Sequence, residues 1–143
     1  MIKKMNYKII SKFIRRTKFN IPDTNTFLNL SNEIKNYTIK FDIKSKQIKE
    51  KTILVNTTLF LEPKKEISNL LECEICLSSV VELDKNITDK KKLEEIILIN
   101  VPSDVYNELR DIFSGYFVRS GFKEIKIDNK IDFKKLYEEK KVQ

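Results

Sequence analysis

The hydrophobic periodicity of this chain changes along its length, and the change separates two kinds of structure. Apolar and polar residues alternate at positions such as 37–44, a pattern typical of a strand with one buried face. From position 101 onward, apolar residues recur at spacings of three and four, as they do on an amphipathic helix. Strands followed by helices predict an α+β fold.

Three segments of the first part are predicted to be consecutive strands. They are residues 37–44, 52–61 and 70–83, of which the second is rich in Ile, Val, Thr and Phe. The polar run 44–51 separates the first two strands, and Pro63 with the two lysines after it forms the next turn. These connections suit antiparallel neighbours.

The N-terminal segment, residues 7–19, is also predicted to be extended. Pro22 ends it, because proline biases the residue before it away from the helical region and is disfavoured inside a sheet. Together the four strands predict an antiparallel meander over residues 7–83.

A long amphipathic helix is predicted from Pro102. Proline is tolerated in a first helical turn, and Asp104 places a negative charge near the positive end of the helix dipole. The helix is expected to end at Gly121, which adopts left-handed backbone angles without strain. Its apolar stripe contains Val105, Leu109, Ile112, Phe113, Tyr116 and Phe117.

A second C-terminal helix is predicted after an extended stretch at residues 125–127. Asp132 is positioned to cap this helix, and Phe133, Leu136 and Tyr137 form its apolar stripe. So short a helix is marginal without tertiary packing, so it must dock on an apolar surface. We therefore predict two C-terminal helices packed on one face of the sheet.

The interval between the sheet and these helices has two interpretations. Thr88 could cap a helix over residues 89–97, while the apolar run 96–99 could equally form a strand. The helix is favoured, which makes residues 88–140 a helical region.

Length and composition predict one domain spanning residues 1–143. The chain is 41% hydrophobic and shows no linker or composition shift. No apolar run approaches the ~18 residues of a membrane span, and the N-terminus lacks the pattern of a signal peptide. A cytoplasmic protein is expected.

Two cysteines, Cys73 and Cys76, lie three residues apart in a predicted strand. Alternation points their side chains to opposite faces of the sheet, which predicts free thiols rather than a disulfide. A zinc site would need two further ligands, and the chain has no histidine and no other cysteine. No metal or cofactor is predicted.

The net charge of +7 arises from the N-terminal segment. Residues 1–20 contain seven basic side chains and no acidic one, which leaves 21 basic and 21 acidic residues elsewhere. The basic arm 1–6 and the first strand could bind nucleic acid, with Tyr7 and Phe13 stacking on bases. A solvated edge strand whose lysines discourage unwanted pairing is the favoured interpretation, and nucleic-acid binding stays an alternative.

Residue types typical of enzyme sites are scarce in this sequence. Histidine, the commonest general base, is absent, and no Gly-rich phosphate loop or nucleophile elbow occurs. Glu72 and Glu74 alternate on the polar side of a strand, as solvent exposure alone would produce. The protein is predicted not to be an enzyme.

Several motifs, taken in order, resemble the SecB family of export chaperones. Residues 101–122, with Pro102 near the start and Arg119 shortly before the Gly121 exit, are similar to the long helix of that family. Residues 71–83 resemble its fourth strand, and Phe19 to Asp23 resemble the Phe-x-x-Pro-Asn motif that ends its first strand. The resemblance covers roughly residues 7–140, including the last helix that begins near Phe133.

This resemblance implies a four-stranded antiparallel sheet with two helices on one face, assembled as a dimer of dimers. It also implies an ATP-independent holdase that keeps unfolded polypeptide clients from aggregating. Client grooves in the family use the second strand, the crossover after the first strand and the last helix. By position these correspond to Ile21, Phe27, Leu28, Tyr37, Ile39, Phe41, Phe133, Leu136 and Tyr137.

The resemblance also has departures that bear on the partner. Positions matching the family's acidic docking patch for the motor ATPase SecA are Arg16, Asn20 and Glu74, of which only Glu74 is acidic. The end of the chain after Lys140 also lacks the long polar tail of exporting members. These departures disfavour SecA and indicate another client, such as the antitoxin of a chaperone-linked toxin–antitoxin system, or a general anti-aggregation role. A third class is an adaptor whose apolar surfaces serve only self-assembly.

Overall fold

The four predicted strands form one antiparallel sheet, with helices on one side. The computed structural model describes residues 6–66, 70–122 and 130–142. Its elements are β1 (Tyr7–Asn20), α1 (Thr24–Glu33), β2 (Tyr37–Lys49), β3 (Thr52–Pro63), β4 (Glu72–Leu83), α2 (Lys90–Glu95), α3 (Val101–Arg119) and α4 (Phe133–Val142). A 3₁₀ turn, Ile34–Asn36, precedes β2, and a π-helical segment, Ile96–Asn100, joins α2 to α3.

The strand order in the sheet is β1-β4-β3-β2, which corrects part of the predicted topology. The meander is right for β2, β3 and β4, but β1 pairs with β4 instead of β2. The residues between β1 and β2 therefore cross from one edge of the sheet to the other. Alternation in the sequence specifies the faces of a strand and carries no information about its neighbour.

The crossover contains a helix, α1, that the sequence analysis did not predict. Asp23 caps it, since its Oδ1 accepts a hydrogen bond of 2.7 Å from the Thr26 backbone N–H. Leu30 is buried on the core side. The signal was present, because Phe27, Leu30 and Ile34 follow Asp23 at helical spacing.

The interval before α3 is helical, as favoured from the sequence, although Asp89 caps it in place of Thr88. The Lys91 backbone N–H donates to Asp89 Oδ1 over 3.0 Å. Helical structure then continues through the π-helical segment, so α3 has no separate capped start. Pro102 explains the wider turn, because its ring removes one backbone donor and crowds the carbonyl four residues earlier.

The core lies between α3 and the face of the sheet that we call the inner face, which carries Leu59, Ile75 and Leu77. From the predicted α3 stripe, Val105, Leu109, Phe113 and Phe117 are fully buried, while Ile112 and Tyr116 are half-buried. A second buried cluster contains Ile53, Val55, Val81, Ile87, Ile96 and Val101.

The end of α3 follows the prediction. Gly121 has φ +111°, and a Cβ at this position would lie 3.1 Å from the ring of Phe27. The Phe27 ring in turn packs on Phe122, at 4.9 Å between centroids. Glycine thus serves both the turn and the close approach of α1. The predicted extended stretch 125–127 lies outside the described residues.

Candidate functional site

A groove of about 430 Å³ runs between β2 and α4. The β2 side contributes Thr38, Ile39, Lys40, Phe41 and Ile43, and the opposite side contributes Leu98, Ile131, Phe133, Leu136, Tyr137 and Glu139. Most of these side chains are apolar. The groove can therefore accept hydrophobic side chains of a ligand.

Phe133 holds α4 in place beside the groove. Its side chain is 2% exposed, and its ring lies 5.1 Å from that of Phe41 and 6.2 Å from that of Tyr106. Asp132 caps the helix as predicted, since its Oδ1 accepts a 3.0 Å hydrogen bond from the Lys135 backbone N–H. The predicted docking of this short helix on an apolar surface is confirmed.

The remaining apolar side chains of α4 stay accessible. Leu136 is 37% exposed and lines the groove, and Tyr137 lines it while its hydroxyl donates to Glu94 Oε2 over 2.8 Å. This hydrogen bond ties α4 to α2. The wall that α4 forms is therefore fixed at both ends, by the buried ring of Phe133 and by the hydrogen bond of Tyr137.

The near wall of the groove is the edge of the sheet itself. Four consecutive residues, 38–41, line it, although successive side chains of a strand point to opposite faces. Within the described residues, β2 pairs with β3 alone. Its other side presents backbone N–H and C=O groups, which can pair with an extended polypeptide.

The residues predicted for a client groove divide into two groups. Ile39, Phe41, Phe133, Leu136 and Tyr137 lie together around the β2–α4 groove. The other four do not line it. Tyr37 and Ile21 pack with the core, Phe27 packs on Phe122, and Leu28 is 65% exposed on α1.

Tyr37 has a structural partner of its own. It is 8% exposed, and its hydroxyl oxygen accepts a 3.1 Å hydrogen bond from the buried backbone N–H of Leu71. This contact ties the start of β2 to the segment before β4. It assigns Tyr37 a role in the fold.

Sequence reasoning missed three apolar groove residues, Ile43, Leu98 and Ile131, and three polar ones, Thr38, Lys40 and Glu139. Ile43 had a signal, because it continues the alternation that places Ile39 and Phe41 on one face. Leu98 had none, since its direction depends on the π-helical turn. Ile131 lies next to the predicted cap, Asp132, outside the helical stripe.

The three positions of the matching docking patch lie on the face of the sheet opposite α3, which we call the outer face. Arg16 Nε donates to Glu74 Oε2 over 2.9 Å, and the neighbouring Lys18 and Glu72 form a second ion pair of 2.6 Å. Hydrogen bonding to Glu74 raises the pKa of Arg16, and hydrogen bonding to Lys18 lowers the pKa of Glu72. Glu74, the one acid of the patch, is thus engaged by a cation.

Several N-terminal cations are also engaged. Besides Arg16 and Lys18, Lys12 forms an ion pair with Glu108 of α3. The Tyr7 hydroxyl donates a hydrogen bond to Asp104. Burial is the larger cause that raises the pKa of Tyr7, and this hydrogen bond raises it further. Stacking by Tyr7 and binding of phosphates by these cations would compete with contacts that attach β1 to the protein, which disfavours the nucleic-acid alternative.

Cys73 and Cys76 are both buried and free. Burial raises the pKa of the Cys73 thiol to about 12, so this thiol stays protonated near neutral pH. Within the ranges that the structure describes, no group of His, Cys, Asp and Glu side chains is placed to bind a metal ion.

The sequence profile of a family described as preprotein translocase subunit SecB matches residues 2–143. A putative protein-export protein SecB from Pelagibacter ubique (strain HTCC1062) is 39% identical over 135 residues, covering 94% of this chain and 96% of that protein. The chain belongs to the SecB family. The resemblance predicted from the sequence is confirmed. Membership of this family supports a chaperone function.

The fold has a solved counterpart. A SecB-like chaperone of Mycobacterium tuberculosis, in complex with a ChAD peptide from an antitoxin, superposes with a TM-score of 0.64 at 9% identity. The match covers 86% of this chain and 90% of that one. It shows the shared α+β architecture. No described helix is both long enough and apolar enough to span a membrane.

Proposed function

We propose that this SecB-family protein is an ATP-independent holdase that binds unfolded or partly folded polypeptides in the β2–α4 groove. The observation that carries the proposal is the groove itself, an apolar channel beside an edge of β2 that no described strand covers. Apolar walls favour exposed hydrophobic segments, which folded proteins bury and unfolded ones present. Affinity then depends on accessible apolar surface more than on a particular sequence.

An extended client would use both properties of the groove. Alternate side chains would contact Phe41, Leu136 and their neighbours, while the client backbone pairs with the edge of β2. Burial of one large apolar side chain contributes about 1.5–3 kcal/mol, and ordering the client opposes this gain. A single groove therefore binds weakly and reversibly, as a holdase requires.

Assembly would strengthen such binding, and we propose a homo-oligomer, a dimer of dimers by family resemblance. On the edge strand β1, Ile10 is 49% and Ile14 is 53% exposed, and a second copy would cover them. Several grooves on one particle raise the avidity for a long client. Light scattering coupled to gel filtration measures the mass, and a monomeric mass at micromolar concentration would contradict this assembly.

Two kinds of client fit this proposal: export substrates, and a dedicated protein such as an antitoxin. Engagement of Glu74 by Arg16, with Asn20 beside them, argues against an acidic docking patch for SecA. Purification of the tagged protein from its native cells, followed by identification of bound proteins, tests this choice. Recovery of SecA with preproteins would restore the export role, whereas one abundant antitoxin would indicate a dedicated client.

The experiment that tests the proposed function is suppression of aggregation. A chemically unfolded protein unrelated to this chain is diluted with near-stoichiometric amounts of the full-length chain, and light scattering is followed from low to moderate salt. Apolar capture should persist as salt rises. Absence of suppression would remove the holdase function. Suppression that disappears with salt would indicate capture by charge, as in the nucleic-acid alternative.

A further inference from the structure

The outer face of the sheet carries a pattern of charged side chains, of which Lys40 alone lines the groove. Along its two edges stand cations of β1 and β2, and its middle is formed by uncharged side chains of β3 and β4. The cations are Arg15, Arg16, Lys18, Lys40, Lys44 and Lys46, and the middle contains Leu54, Asn56, Thr58, Cys76, Ser78 and Val80.

Arg15 lies toward the centre of this face. It occupies a bulge of β1, and its Nε donates to Ser78 Oγ over 2.7 Å. The Ser78 hydroxyl in turn donates to Asn56 Oδ1 over 2.6 Å, so the contacts run from β1 across β4 to β3. The Arg15 guanidinium is also 5.2 Å from the ring of Phe13, which is 43% exposed. These contacts orient the guanidinium and leave its terminal N–H groups for a ligand.

Few carboxylates balance these cations. We consider the part of the outer face that contains Lys46, Lys44, Asp42 and Lys40 of β2 and the residues paired with them across the sheet. Its acidic side chains are Asp42 and Glu74. Glu74 is engaged by Arg16, and Asp42 lies 3.9 Å from Lys44. Arg15, Lys40 and Lys46 form no ion pair with any residue that the structure describes. Lys18 is in addition paired with Glu72 just beyond these residues. Six cations against three carboxylates leave an excess of three positive charges.

The acidic residues at the ends of the face limit what can bind. Glu82 and Glu74 on β4 are eight residues apart, about 27 Å along a strand, and Glu62 and Glu72 lie near Glu74. A polyphosphate chain running past either end would meet these carboxylates. A short acidic segment of a polypeptide fits between them, and alternate carboxylates of an extended segment repeat about every 7 Å, as Lys44 and Lys46 do.

We propose that the outer face of the sheet, centred on Arg15, Lys44 and Lys46, docks an acidic polypeptide segment of a partner protein. Arg15 supplies a planar fork for one carboxylate and Phe13 an aromatic contact beside it. The two lysines contact the next carboxylates along the segment. Arg15, Lys44 and Lys46 do not line the β2–α4 groove, so one protein can hold a client and contact a partner at the same time.

The test uses a fluorescein-labelled peptide of eight residues that alternates Glu and Ser. Its binding to the full-length protein is measured by fluorescence anisotropy at rising NaCl. The affinity should fall with salt, because the contacts are exposed charge pairs. The variant with Lys44→Gln and Lys46→Gln should bind about five- to tenfold more weakly. Arg15→Gln should weaken binding in the same direction.

A matched control removes the same charge elsewhere. Lys90→Gln with Lys91→Gln changes two exposed lysines of α2, and peptide affinity should stay within about twofold. Equal losses in both double variants would overturn the proposal, since net charge alone would then explain binding. Tighter binding of an oligothymidylate of eight nucleotides, lost in the Lys44 and Lys46 variant, would replace it by a nucleic-acid surface.

The holdase assay separates this surface from the groove. The Lys44 and Lys46 variant should suppress aggregation as well as the unmodified protein. If this variant lost both aggregation suppression and peptide binding, the assignment of two separate surfaces would be overturned. Failure of the unmodified protein to bind the acidic peptide would overturn the docking proposal and leave the proposed holdase function unaffected.

Discussion

Tyr37 contributes a hydroxyl group whose removal affects the fold more than a client. Tyr37→Phe leaves the buried N–H of Leu71 without its partner at 3.1 Å. An unsatisfied buried donor costs about 1–3 kcal/mol, so the free energy of unfolding should fall by that amount. Urea denaturation followed by circular dichroism measures it.

Tyr116→Phe is the matched control for that variant. The Tyr116 ring stacks on Phe19 with 5.3 Å between centroids, and the substitution keeps this ring. The free energy of unfolding should change by less than about 0.5 kcal/mol. If Tyr37→Phe is as stable as the control but captures clients poorly, Tyr37 belongs to the groove after all.

The Cys73 thiol makes the free energy of unfolding depend on pH in the alkaline range. Its pKa is raised from 9.0 to about 12 by burial, so the folded state keeps a proton that the unfolded state releases. Stability from this thiol is fully present below pH 9 and is lost as pH rises from 9 toward 12. At pH 10.5 the loss should reach about 2 kcal/mol. Urea denaturation at pH 8 and 10.5 measures it.

Cys73→Ala provides the comparison, because other groups also titrate in this range. The variant is expected to be less stable at pH 8 through loss of packing, yet its stability should fall less steeply between the two pH values. Equal slopes in both proteins would show that the Cys73 thiol does not contribute to the pH dependence.

At the scale of elements, α1 depends on its cap. The backbone N–H and side-chain hydroxyl of Thr26 both donate to Asp23 Oδ1, and these bonds lower the pKa of the carboxyl. Asp23→Ala should therefore speed amide exchange in α1 several-fold, with the sheet unchanged. Hydrogen exchange monitored by mass spectrometry reports on each segment.

The same cap gives a pH dependence and a control. Because the pKa of Asp23 is depressed in the fold, its contribution is present above the ordinary pKa of aspartate and is lost as pH falls through the depressed value. Asn25→Ala, also exposed on α1, should leave the exchange rates unchanged. Equal acceleration in both variants would mean that the cap is not what holds the helix.

The edge of β2 is predicted to pair with the client backbone. Alternate N–H groups of a strand point to the same side, so methyl groups can block one edge of a client peptide and spare the other. For a heptapeptide of alternating Leu and Thr, N-methylation along one edge should weaken binding more than about tenfold. The same change along the other edge should have little effect.

Fluorescence anisotropy with the two methylated peptides measures this difference. The peptides have the same composition and the same number of methyl groups, so each is the control for the other. Equal affinities would show that the groove holds clients through side chains alone, and the role of the β2 edge would then be withdrawn.

For the whole molecule, the groove requires β2 and α4 together. Ile39→Asp with Leu136→Asp places a charge on each wall, at two positions that are partly exposed. Client capture should fall at least tenfold, because each charge removes apolar contact and resists desolvation. Aggregation suppression per mole of protein measures the loss, and circular dichroism checks the fold.

Leu28→Asp is the control at this scale. Leu28 is 65% exposed on α1 and does not line the groove, so capture should stay unchanged. A loss equal to that of the groove variant would extend the client surface onto the crossover, as the family resemblance suggests. An unfolded groove variant would instead assign Ile39 and Leu136 to the core.

Much of the secondary structure was predictable because it depends on local physics. Alternation marked β2, and the content of β-branched and aromatic residues marked β3. The spacing of Val105, Leu109 and Phe113 marked α3. Asp132 and Gly121 capped or ended helices as expected, since capping involves only neighbouring residues. Asp23 caps α1 by the same local rule, although this helix was not predicted.

The sequence by itself determined which residues form strands and helices and which faces are apolar, since both follow from periodicity within a few residues. Tertiary structure alone decided that β1 pairs with β4, that Tyr37 is held by Leu71, and that β2 meets α4 around one groove. The walls of this groove are about ninety residues apart in the chain. Contacts over such separations depend on how all elements pack together, and no local pattern specifies them.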